Sequence, residues 1–232
     1  QYHFSDADLS VFRGIAGILS SDGKFNGVLE EIEVDGATDV PDFRLDVSEN
    51  PVHLTKQFHA IVDGTNGDTR LEPVKFQFLA SSFVANGAVE GREGQNGKAV
   101  RLSVDASPAR VEDLLRLAVR GKPLLTGPVR FQAKFELPPG EGAVVDRLRL
   151  DGQVNIKGGH FRKNALQERI DELSRRGRGE PGNTDVSGVA SEVGALFSMA
   201  GGAIQFRKLT FGVPAALVNL DGGYGLRKRR TR

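Results

Sequence analysis

Cysteine is absent from the 232 residues. That removes disulfides, thiolate zinc sites, iron–sulfur clusters and cysteine nucleophiles, without fixing the compartment. Charge of one sign is also lacking: 31 Lys+Arg against 30 Asp+Glu leave a formal net charge of +1. A dedicated nucleic-acid binder carries a marked basic excess, so no nucleic-acid partner is expected. No apolar run approaches the ~20 residues that a spanning helix needs. Histidine is scarce, and His53 and His59 sit six residues apart on one extended segment. At ~3.4 Å per residue they are too distant to share a metal. Methionine occurs once, at Met199, and the chain opens at Gln1. The expectation is a segment of a longer protein, with any signal or anchor upstream.

Glycine is abundant, 29 residues or about 12% against a usual ~7%. The dominant period is two. Val52, Leu54, Phe58, Ala60 and Val62 occupy the even positions of one segment, and Val100, Leu102 and Val104 alternate with Arg101 and Ser103. Val129, Phe131, Ala133 and Phe135 alternate with Arg130, Gln132, Lys134 and Glu136. Successive strand side chains point to opposite faces, so these are half-buried strands. Asp63–Asp68, Gly91–Gly97 and Pro138–Gly142 are turn sequences between them, and short spacing with Gly-rich turns indicates antiparallel pairing.

Three segments show helical spacing. Phe4–Leu19 places Leu9, Phe12, Ile15, Ala16 and Leu19 on one stripe, with Ser5 or Asp6 as N-cap. Ser107-Pro108 looks like an N-cap and first helical residue ahead of Val111, Leu114, Leu115 and Ala118, predicting a helix over 108–119. Leu166, Ile170 and Leu173 predict another over 163–174, followed by a polar loop over 175–188.

The candidate residues for chemistry do not assemble. Asp63–Asp68 superficially resembles a calcium loop, but Gly67 and Asp68 stand where an oxygen ligand and a glycine belong. Gly91, Gly94 and Gly97 lack the spacing of a dinucleotide fingerprint. Glu31, Glu33 and Asp35 read as a solvated strand face. The basic run Arg227–Arg232 reads as a solvated terminus. No catalytic residue, metal or cofactor is expected.

Gly23-Lys24-Phe25-Asn26-Gly27, Ile32-Glu33-Val34-Asp35-Gly36, Pro41-Asp42-Phe43, the run Phe58–Thr65 and the run Phe211–Tyr224 resemble the C-terminal region of AsmA-like proteins of the bacterial cell envelope. The last run resembles the family pattern F-x-V-P-G-A-x-V-x-L-x-G-x-Y, with Ala215 in place of its glycine. The resemblance implies a long twisted sheet curled into a groove. It also implies a periplasmic location, an upstream anchor in the inner membrane, and a part in outer-membrane homeostasis similar to that of bridge-like lipid-transfer proteins. It supplies no catalytic residues.

The expected fold is mainly β: a long twisted antiparallel sheet curled into a groove or open barrel, with two or three flanking helices. Residues 1–22 are read as an N-terminal helix or linker, 23–226 as the β-domain and 227–232 as a basic tail. Strands with one apolar face outnumber the helical stripes that would cover them. The expected role is therefore an apolar groove for lipid acyl chains, lined by Phe58, Val62, Val100, Leu102, Val104, Phe131 and Phe135. The alternative is a structural or interaction module with a self-filled core, in which a sheet edge pairs with an envelope protein partner.

Overall fold

The computed structural model describes residues 1–91, 94, 96–162, 164–182 and 188–225. The chain starts with β1 (Tyr2–Asp8), a 3₁₀ turn (Leu9–Val11), β2 (Ile15–Ala16), β3 (Ile18–Val28), β4 (Glu31–Leu45) and β5 (Val52–Val62). Then come β6 (Thr69–Phe78), β7 (Ser81–Gly91), β8 (Lys98–Arg110), α1 (Val111–Ala118), β9 (Leu125–Thr126) and β10 (Pro128–Leu137). The remainder is α2 (Val144–Arg147), β11 (Arg149–Phe161), α3 (Asn164–Gly177), β12 (Ser191–Ala200), β13 (Ala203–Val213) and β14 (Ala216–Gly225). Among the described residues these form one 14-stranded antiparallel sheet, ordered β1-β3-β4-β5-β6-β7-β8-β10-β11-β12-β13-β14, with β2 beside β4 and β9 beside β11. The expected class, a long curled antiparallel sheet with three helices, is the one observed.

The start of the chain is not the expected helix. Gly14 and Gly17 have φ of 102° and 142°, a region that ends any helix. Only a single 3₁₀ turn forms, capped by Asp8, whose Oδ1 accepts the Ser10 N–H at 2.8 Å. Strand pairing takes most of the rest: Phe4, Ala7 and Asp8 pair with β3, and Ile15 and Ala16 pair with the end of β4. Apolar spacing near 3.6 loses here to pairing in the sheet, which gives the backbone hydrogen-bond partners. Residues 1–22 therefore belong to the sheet.

The second helix begins three residues later than Pro108 would place it. Pro108 lies in a bulge of β8, where the register against β10 shifts between Ala106 and Ala109. Pro73 likewise sits in the β6 bulge between Leu71 and Val74. Proline has no N–H to give a ladder, and a bulge is where none is needed. The expected helix over 163–174 is α3, Asn164–Gly177, so its last turn takes the first residues of the expected loop. Lys163, residues 183–187 of that loop and the basic tail 227–232 lie outside the described residues.

The sheet coils strongly. The Val144 N–H of α2 donates to the Arg13 carbonyl at 2.7 Å, although the strands these segments adjoin, β10 and β4, stand five places apart in the sheet. Five inter-strand spacings in a flat sheet span about 24 Å, so only a curl brings them together. Two helices close one end of the curl. The α1 helix is tied to the β4–β5 connection, where Asn50 Nδ2 donates to the carbonyls of Arg116 at 2.9 Å and Val119 at 3.1 Å. Buried Asp113 accepts the Ser81 hydroxyl at 2.6 Å and the Ala80 N–H at 3.1 Å. In α3, buried Asp171 accepts the N–H groups of Val189 at 2.8 Å and Gly188 at 2.9 Å.

Candidate functional site

Cross-strand pairing sorts the side chains onto two faces. Paired residues point the same way, so one row can be followed from edge to edge: Phe4, Ser21, Thr38, Lys56, Phe76 and Phe83. It continues through Ala106, Phe131, Val154, Ala195, Leu209 and Leu220. That face is apolar. The opposite face carries exposed cross-strand pairs such as His53–Asp39 at 2.5 Å and His59–Asp35 at 2.9 Å. The strand histidines and the acids of β4 lie there, in water.

All seven expected groove residues fall on the apolar face. Phe58 pairs with Gly36 and Val74, and Val62 with Ile32 and Thr69. Val100, Leu102 and Val104 pair with Val89, Gly87 and Ala85 on one side, and with Leu137, Phe135 and Ala133 on the other. Phe131 stacks on Phe197, centroids 6.0 Å apart. Their exposure is not uniform. Val104 is sealed in the core with Phe83, Ala85 and Val129, whereas Phe58, Leu102, Phe131 and Phe135 only lean against that core. The middle of the curl is filled by protein.

The face opens toward the two edges of the sheet. Near β1 and β3, Phe4 and Phe25 are 51% and 57% exposed; on β14, Leu220 and Tyr224 are 49% and 55% exposed. The total accessible surface is 14118 Å², against roughly 10,000 Å² for a compact monomer of this mass. None of these edge residues stood among the expected seven. The alternation that found the central strands is broken around β1 and β14 by Gly and by the bulge between Phe4 and Ala7.

A cluster of polar groups interrupts the apolar face. Among the described ladder positions on this face two carry a charge: Lys98, at the far end of β8 and paired with Asp68, and Lys56. The Nζ of Lys56 lies 5.0 Å from the centroid of the Phe58 ring, and it forms no hydrogen bond or ion pair with any described residue. Burial holds its ammonium below the ordinary lysine range. Beside it in the row, buried Thr38 and Ser21 place their hydroxyl oxygens 3.3 Å apart, and Tyr2 Oη is 3.2 Å from Ser21 Oγ. The Ser21 hydroxyl donates to the Ala37 carbonyl at 2.9 Å, so Thr38 and Tyr2 donate to it. Lys56 was legible in the sequence as the one even position of Val52–Val62 that is not apolar.

Elsewhere the polar groups serve turns. Asp63 accepts the N–H of Thr65 and the amide of Asn66, both at 2.9 Å. The Thr65 side chain leads the bonds that lower its pKa. Asp68 accepts from Gly91 N–H at 2.8 Å and from Lys98 Nζ at 2.5 Å. These oxygens tie the 63–68 turn to the neighbouring hairpin. Compared with known protein families, curated proteins and solved structures, the chain matches none.

Proposed function

We propose that this domain is a non-enzymatic lipid-binding module that holds acyl chains on the apolar face of its curled sheet, in the manner of the AsmA-like envelope proteins that its sequence resembles. A transfer role between membranes, with an anchor outside this chain, belongs to the same reading. The observation that supports it is that the mainly apolar face, broken in this row at Ser21, Thr38 and Lys56, runs from exposed Phe4 to exposed Leu220, buried at its centre and open at both edges. Exposed aromatic and aliphatic side chains grouped at the two edges offer an interaction surface. Each acyl CH₂ removed from water there gains about 0.8 kcal/mol.

The filled centre narrows the binding region. Val104 touches only protein, so the acyl chain lies at the edges, against Phe4 and Phe25 or against Leu220 and Tyr224, with half-buried Phe58 and Val62 beside the first of these. The test compares Phe25→Asp and Tyr224→Asp with the wild type, by melting temperature and by binding of the fluorescent fatty acid cis-parinaric acid. The expected result is an unchanged fold with binding reduced at least fivefold. A wild type that binds no fatty acid, and yields no lipid to mass spectrometry after extraction, would instead favour a structural module with a self-filled core.

A further inference from the structure

We infer that Lys56 is the anchor for the carboxylate of a fatty acid whose chain lies along the apolar face beside Phe58 and Val62. This rests on the lipid-binding reading above and deepens it by naming the headgroup.

The argument starts from what Lys56 costs. A lone ammonium on an apolar wall gives up hydration, and the aromatic ring of Phe58 at 5.0 Å returns only part of that. Its partners across β4 and β6 are Thr38 and Phe76, and along β5 its same-face neighbours are Leu54 and Phe58. Leucine or valine at position 56 would complete the alternation of the strand. No described carboxylate meets the ammonium. A site that keeps a half-buried charge without an ion-pair partner, in place of a better-packed apolar residue, departs from the local rule without any gain to the fold, and such departures mark function.

Charge complementarity then chooses the occupant. Lys56 is half-buried against the Phe58 ring and beside Phe76, so the ligand that suits it carries one negative charge joined to a hydrocarbon chain. A carboxylate offers one charge and two oxygens. The single charge matches the one ammonium of Lys56, whose ladder partner on β4, Thr38, already donates its hydroxyl to Ser21. A phosphate monoester would leave a second charge unmatched among apolar atoms. From Lys56 the surface continues past Phe58 and Val62 along β5, and toward exposed Phe4 through Ser21 in the same row.

The experiment titrates the whole chain with cis-parinaric acid and, separately, with its methyl ester, which keeps the chain and lacks the charge. Wild type, Lys56→Met, Lys56→Arg and Lys208→Met are compared. Lys208 is an exposed cation on the opposite face, so its variant removes the same charge from the wrong side. The expected result is that wild type prefers the acid over the ester about tenfold. Lys56→Met abolishes that preference without weakening ester binding, Lys56→Arg keeps it, and Lys208→Met leaves it unchanged. Equal binding of acid and ester by wild type, or a preference that survives Lys56→Met, would overturn the assignment of Lys56 and leave the acyl-binding reading standing. Binding of neither probe by wild type would overturn both. A preference lost equally in Lys208→Met would show general attraction of anions and reject the anchor.

Discussion

The ammonium of Lys56 rests 5.0 Å above the ring of Phe58, two residues along the same strand, on a face where its ladder neighbours are otherwise uncharged. That pairing ties the energetics of the sheet to its proposed use. The feature that weakens the empty domain is the one that would recognise a charged lipid.

Lys56→Met should stabilise the unliganded domain at neutral pH by about 1 kcal/mol, the relief of desolvation less the lost ring contact. The pH dependence has a definite sign. The folded-state pKa is lowered by burial, so the unfolded chain holds the proton more tightly. The penalty is present in full below the folded pKa and disappears as pH rises from there to the ordinary lysine value. Melting temperatures across that alkaline range should show the gap between wild type and Lys56→Met closing. A gap that is constant with pH would remove desolvation as its cause.

Asp113→Ala should destabilise the domain by roughly 2–3 kcal/mol, because it strips the acceptor from fully buried Ser81. The Ser81 oxygen also accepts the Arg110 N–H at 2.9 Å, so the loss loosens the junction of β8 with α1. Urea denaturation would measure it. A cost below about 0.5 kcal/mol would mean that α1 is held by Leu114, Leu115 and Leu117 alone.

The α3 helix should loosen in acid before the rest of the sheet. Burial alone would raise the pKa of Asp171, but the Val189 N–H, the Gln167 amide, the Gly188 N–H and the charge of Arg175 outweigh it and hold the carboxyl below its ordinary value. Its contribution is therefore complete above the ordinary carboxylate range and is lost as pH falls through the folded-state pKa. Hydrogen exchange should show α3 amides losing protection there, ahead of β7 and β8. In Asp171→Asn the protection should be low and independent of acid.

Val104→Asp should unfold the domain, at a cost of several kcal/mol, because Val104 is 4% exposed and packs among Phe83, Ala85 and Val129. Its contrast with Phe25→Asp tests where the core stops and the open face starts. Equal loss of folded structure in both would mean that the edge of the sheet is core as well.

Ala215→Gly should stabilise the β13–β14 turn. Ala215 has φ of 69°, a left-handed conformation that costs an L-residue roughly 1–2 kcal/mol, and glycine's freer unfolded chain gives back about 0.4–1 kcal/mol of that. A net gain of about 0.5–1 kcal/mol in thermal unfolding is expected, with fatty-acid binding unchanged.

The sequence by itself determined the two faces. Side chains alternate across a strand whatever the strand pairs with, so Val129, Phe131, Ala133 and Phe135 were bound to share a side opposite Arg130, Gln132 and Lys134. It also placed most turns and both long helices, whose stripes are local patterns. Tertiary structure decided what periodicity cannot carry. Residues 4–19 have helical spacing but, apart from one 3₁₀ turn, went mainly into strands, because pairing of β1 with β3 and of β2 with β4 satisfies backbone that a helix broken at Gly14 and Gly17 would leave open. The exposure of Phe25 and the burial of Val104 depend on how far the sheet coils before α2 meets Arg13, a contact between segments 131 residues apart in sequence. Lys56 stood out in the sequence only as one polar residue in an apolar slot. Its isolation became a property of the molecule once the strands on either side set Thr38 and Phe76 beside it and brought no carboxylate within reach.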